Sequence, residues 1–158
     1  MSAFGKRVQL AAVLALPLCL ALSALGSVKN MAVVASLGSK LNDVPLADLV
    51  KLCKGTQKTW PDGKNFILVI KDPESPEMRV PVQKLFGAAS DAKAAIAKLN
   101  ENRETVKVVG SDQDLLRAVA STPGAVGIVD VYAITSAVKV LRVDGKLPFD
   151  VGYVLKGN

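Results

Sequence analysis

Short, wholly apolar runs that recur between stretches of helical periodicity constrain this chain more than any other feature. Phe66-Ile67-Leu68-Val69-Ile70 has no polar residue at all. A strand with one wet face alternates, so a continuous run of this length and β-branched content predicts a strand covered on both faces. Met31-Ala32-Val33-Val34-Ala35-Ser36 and Ala125-Val126-Gly127-Ile128-Val129 have the same character, and residues 106–109, 138–143 and 151–155 are shorter candidates. Strands of this kind separated by helices predict an α/β fold: a three-layer αβα sandwich around a mixed, mostly parallel sheet of about five strands, with an antiparallel edge near the C-terminus.

The intervening segments carry helix signals. Leu46, Leu49, Val50 and Cys53 fall on one face of a helix that Pro45 opens and Gly55 ends. Ser111 precedes Asp112 and Asp114, placing a cap and acids where the first-turn N–H groups are free, and Leu115, Leu116 and Val119 follow as an apolar face before Thr122-Pro123-Gly124. Residues 91–99 form an Ala- and Lys-rich helix. A further helix runs toward Phe86 from the loop Lys71-Asp72-Pro73-Glu74-Ser75-Pro76, with Pro81 expected to kink or shorten it. Trp60-Pro61-Asp62-Gly63 is a turn, and Asn42-Asp43 a polar break.

Ahead of this pattern stands a different kind of segment. Lys6 and Arg7 are followed by the apolar core of residues 10–22, interrupted once at Pro17, and then by Ala24 and Gly26, small residues at the positions that precede a cut. That order describes a secretory signal peptide over residues 1–26, cleaved before Ser27. The core is shorter than the ~20 residues an uncleaved anchor wants, and Cys19 lies mid-core after Leu18, not at the core's end as lipidation requires. The expected product is one domain over residues 27–158, periplasmic or secreted.

Composition narrows the chemistry. The chain has no histidine, which removes imidazole-based triads, proton relays and most zinc sites. Cys19 and Cys53 are the only cysteines, and cleavage leaves Cys53 alone in an apolar stretch, read as a buried small hydrophobe. Loss of Lys6 and Arg7 leaves 18 basic residues against 14 acidic, a scattered +4 without the stripe a nucleic-acid binder concentrates. Asp62, Asp72 and Asp130 have no acid/base spacing, and there is no phosphate-cradling Gly loop or nucleophile elbow. No enzyme, no metal and no cofactor is expected.

Three segments resemble phosphate-type periplasmic solute-binding proteins. Val44-Pro45-Leu46-Ala47-Asp48-Leu49, then Lys54-Gly55 and Trp60-Pro61-Asp62-Gly63, is similar to their "L-x-x-L-x-x-I-F-x-G…W-x-D-G". Val119-Ala120-Ser121-Thr122-Pro123-Gly124-Ala125-Val126-Gly127 is similar to "V-x-x-x-P-G-A-I-G-Y", and Val140-Leu141-Arg142-Val143-Asp144-Gly145-Lys146-Leu147-Pro148 to "L-x-I-D-G-x-x-P". The resemblance implies one lobe of a type II periplasmic-binding-protein fold, a small phosphate-like anion as ligand and an ABC transporter permease as partner.

By position, that resemblance makes Lys71, Ser75 and Arg79 the candidate ligand contacts. The chain departs from the family here. It has room for one lobe, and the other lobe's anion loop is missing. Pro76 removes an N–H donor, and Glu74 and Glu77 put like charge where an oxyanion would sit. Ser75 then reads first as a plain helix cap and Trp60 as a packing anchor. The alternative function is a non-catalytic envelope scaffold or interaction domain, docking an envelope protein or a second copy through the face a missing lobe leaves open.

Overall fold

Strands form where the apolar runs fall. The computed structural model describes residues 29–157, so the leader and its cut before Ser27 lie outside the described residues. In chain order the strands are β1 (Met31–Ser36), β2 (Asp43–Val44), β3 (Ile67–Ile70), β4 (Val106–Val108), β5 (Ala125–Asp130), β6 (Val138–Val140) and β7 (Arg142–Val143). The helices are α1 (Leu46–Cys53), α2 (Arg79–Phe86), α3 (Ala89–Leu99) and α4 (Asp112–Ser121). Five strands make one sheet in the order β4-β3-β5-β1-β6, and β2 and β7 form a separate parallel pair.

Strand alternation sorts the apolar residues into two layers. Met31 and Val33 of β1, Leu68 and Ile70 of β3 and Ile128 of β5 share one core with Leu49 and Leu52 of α1, Val82 and Leu85 of α2, and Ile96 of α3. Ala32, Val34, Val69 and Val129 face the other way, against Leu115, Leu116 and Val119 of α4. The result is the expected αβα sandwich. Each Val, Leu or Ile removed fully from water contributes on the order of 1.5–3 kcal/mol, so every layer has reason to stay closed. Helix α4 sits especially near the sheet at Gly127, where a Cβ would stand 2.6 Å from Leu115 Cδ2 and 2.8 Å from Val119 Cγ2.

Strand direction follows the expectation in outline and refines it. β3 pairs in parallel with β4 and β5, whereas β1 runs against both β5 and β6. Four strands therefore share one direction. The reversed strand is β1, inserted beside the edge that β6 forms.

Three local expectations change. Residues 151–155 form no strand: Gly152 turns the backbone to φ +80°, and one bridge, Asn30 with Lys156, marks the C-terminal pairing. The segment still buries Tyr153 and Leu155. The apolar stretch 138–143 divides at Leu141, because β6 pairs with β1 while β7 pairs with β2, which had read as a polar break. Pro81 neither kinks nor shortens α2. It is the helix's third residue, where an N–H has no acceptor within the helix, and a 3-10 turn over Pro76–Met78 leads in.

Candidate functional site

Open α/β sheets bind ligands beyond the carboxyl ends of their parallel strands. Here that end is occupied by a network of charges. Lys71 follows the last residue of β3, Asp130 closes β5, and Asp112 opens α4. Lys71 Nζ forms ion pairs with Glu77 and with Asp112 Oδ1, the latter at 2.8 Å. The other Glu77 oxygen, Oε2, accepts from Lys29 Nζ at 2.6 Å, and Lys29 lies 3.8 Å from Asp130. Three carboxylates around two ammoniums leave the network one negative charge.

The centre of this network is sheltered: the Lys71 and Glu77 side chains are only 18% and 14% exposed. Partial burial pulls the Lys71 ammonium down, but hydrogen bonds and charge from Asp112 and Glu77 outweigh it and hold Lys71 above its ordinary value. The hydrogen bond from Lys29, then that from Lys71, keep the Glu77 carboxyl below its ordinary value. Glu77 in turn raises Lys29. All three groups are thereby fixed in their charged forms at neutral pH.

The three expected contacts occupy different situations. Lys71 is partly buried and already paired. The Ser75 hydroxyl donates to the Asp72 carbonyl at 2.8 Å and caps nothing, so its helix-cap role is replaced by a turn bond. Arg79, the exposed first residue of α2, donates its backbone N–H to the Pro76 carbonyl, and its guanidinium has no hydrogen bond or ion pair among the described residues. Among the described residues, neither partner of the Lys71 ammonium, Glu77 or Asp112, pairs with the side chain of Ser75 or Arg79. The loop also uses its own donors, since Glu74 N–H goes to Asp72 Oδ1, Ser75 N–H to Asp72 O and Met78 N–H to Ser75 O. Lys29 and Asp130 are partners that sequence reasoning missed. Asp112 was visible only as a first-turn acid, although its place just beyond β4 was a usable signal.

Trp60 packs as an anchor. It is 3% exposed, meets Phe66 edge-on at 5.5 Å and 76°, and donates through Nε1 to the Gly124 carbonyl. Asp62 and Gly63 make a turn, with Asp62 Oδ1 accepting from Lys64 N–H at 3.1 Å. Cys53 is buried, and burial pushes its thiol up to about 12, far from the range of a reactive thiolate.

No family model and no curated protein matches the chain. Solved structures do. PstS from Borrelia burgdorferi aligns at 17% identity and TM-score 0.63 over 83% of this chain and 55% of its own. An ABC-type phosphate transport receptor from Vibrio cholerae aligns at 14% and 0.58 over 82% and 54%. A phosphate binding protein from Stenotrophomonas maltophilia aligns at 18% and 0.52 over 77% and 40%. The fold is thus that of phosphate-type solute-binding proteins. The chain spans about half the length of these relatives or less, matching one of their lobes, and the proteins it resembles are receptors and binding proteins.

Proposed function

We propose that this protein is an exported, single-lobe solute-binding protein, non-enzymatic, that captures a small phosphate-like anion for an ABC-type transport system. The observation that carries the reading is the pair of ammoniums, sheltered Lys71 and the more exposed Lys29, held around the Glu77 carboxylate beyond the carboxyl end of β3. In the free protein Glu77 stands where an oxyanion would. A phosphate dianion brings twice the charge of a carboxylate to the same two cations, and so competes for them. Ser75 and Arg79, close in sequence, are the further contacts. Export follows from the leader, with cleavage after Gly26 delivering the lobe to the periplasm or beyond, where a transporter permease would receive it.

A second reading rests on the same network. With Glu77 and Asp112 already on Lys71, the lobe is complete without a ligand, as an envelope scaffold or interaction domain would be. Calorimetry with phosphate and sulfate separates the two. Anion capture predicts saturable binding that tightens in Glu77→Gln and disappears in Lys71→Gln. No heat at millimolar anion from the wild type or Glu77→Gln, with circular dichroism unchanged, would overturn anion capture and leave the scaffold. A partner or second copy would then show in light scattering or pull-down.

A further inference from the structure

At the opposite end of β3 lies a cleft that the anion reading does not use. It encloses about 630 Å3, between the last turns of α1 and α3 and the segments that lead into β3 and β4. Pockets that hold small organic ligands span roughly 300–1,000 Å3, so its size is right for one. Leu52, Phe86, Ala95 and Leu99 line it with hydrocarbon, and Phe86 and Leu99 are only partly buried, leaving apolar surface open to the cleft.

The rim has one sign of charge. Among the described residues Lys54, Lys58, Lys98 and Arg103 line the cleft and no carboxylate does; Glu101 and Glu104 flank the Arg103 segment without lining it. Among the described residues none of the three lysines has an ion-pair partner. Arg103 is held in place by donating through Nη2 to the Lys58 carbonyl at 2.8 Å. Helices α1, α2 and α3 all end here, and each carboxyl end contributes roughly half a negative charge. Four full cations outweigh that, so the mouth stays positive over an apolar floor.

The wall next to β4 is rigid. Asn100 Oδ1 accepts from the N–H groups of Thr105 and Val106 at 2.8 and 2.9 Å, and its Nδ2 donates back to the Val106 carbonyl at 2.7 Å. Gly55, at φ +74°, lets the end of α1 approach α3, since a Cβ there would stand 3.0 Å from Leu99 Cδ2. The ends of α1 and α3 thus form the apolar side of the cleft, and the segments 54–65 and 102–105 complete it.

We propose that this cleft binds an amphipathic monoanion, a medium-chain carboxylate whose tail lies on Leu52, Phe86 and Leu99 and whose head is held by the cationic rim. Calorimetry with the series hexanoate, octanoate and decanoate, below their micelle concentrations, tests it. Saturable binding is expected, tightening roughly threefold to fourfold per methylene, with decanol weaker than decanoate. Lys58→Gln with Lys98→Gln, both exposed positions, should weaken decanoate about tenfold and leave decanol unchanged. Ala95→Trp, which fills the cleft, should abolish both while leaving any phosphate affinity at the Lys71 network intact. Absence of decanoate binding at millimolar concentration in the folded protein, or an affinity that the lysine variant leaves unaltered, would overturn the proposal.

Discussion

Trp60 Nε1 donates a 2.8 Å hydrogen bond to the carbonyl of Gly124. The bond joins the turn before β3 to the turn that opens β5, and these two strands are parallel neighbours with Ile67 opposite Ala125. Two of the three segments that resemble solute-binding proteins therefore meet through one indole, which sets where two adjacent strands begin.

Replacing Trp60 by Phe keeps an aromatic ring but removes the donor and part of the packed volume. A loss of about 2 kcal/mol is expected from the two effects together. Urea unfolding followed by circular dichroism measures it, since Trp60 is the only tryptophan and its fluorescence goes with it. A loss too small to resolve would mean the bond does not hold the two turns.

Gly124 and Gly63 form a controlled pair. Both have positive φ, +81° and +83°, and an L side chain at such a position costs about 1–2 kcal/mol. At Gly63 an added Cβ meets nothing, whereas at Gly124 it runs into the backbone carbonyl of Asn65. Gly63→Ala should therefore lose only the dihedral cost, and Gly124→Ala about 1–3 kcal/mol more. Equal losses in thermal or urea unfolding would contradict the close approach of these two backbones.

Acid should loosen the charge network in a definite window. The Glu77 carboxyl lies below its ordinary value of 4.5, so the stability it contributes is complete above that value. It is lost as pH falls through the lower folded-state value. Lys29 and Lys71 lie above 10.5, so their share is present below 10.5 and fades only as pH rises through the raised values. Glu77→Gln should flatten the acid limb of a stability-against-pH profile and lower stability at neutral pH by about 1 kcal/mol. An unchanged acid limb would show that the network contributes nothing to folding.

Ser111 caps α4 in both directions, accepting from Asp114 N–H at 3.1 Å and donating to Asp114 Oδ2 at 2.8 Å. Ser111→Ala should cost about 1 kcal/mol, read as a shift in the urea midpoint without a change in slope. No shift would mean that water serves the α4 N-terminus equally well.

The main strands and helices were legible because their signals are local. Residues 66–70 and 125–129 are apolar on both faces, and Ser111 with Asp114 announces a helix start within four residues. What escaped depends on distant partners. Nothing near Leu141 says that the chain leaves β1 there to join β2, and nothing near Val151 outweighs its strand-like composition except the dihedral at Gly152. At the candidate site, Lys71 was visible as a basic residue beyond a strand. That it is matched by Glu77, Asp112 and, through Glu77, Lys29 is a product of the tertiary fold. Cys53 read correctly as core, because the apolar residues beside it in sequence, Leu49 and Leu52, are buried with it.

The place of β1 bears on when the domain can fold. Its only partners in the main sheet are β5 and β6, roughly a hundred residues downstream, which a ribosome needs about 5–20 s to add. During that interval the earliest strand has no ladder to join, and contacts of such long range form late. A chain ending at Thr122 is expected to leave the amides of β1 unprotected from hydrogen exchange. Under the export proposed above, this delay keeps the polypeptide threadable until it has crossed the membrane, and reserves closure of the sheet for the far side.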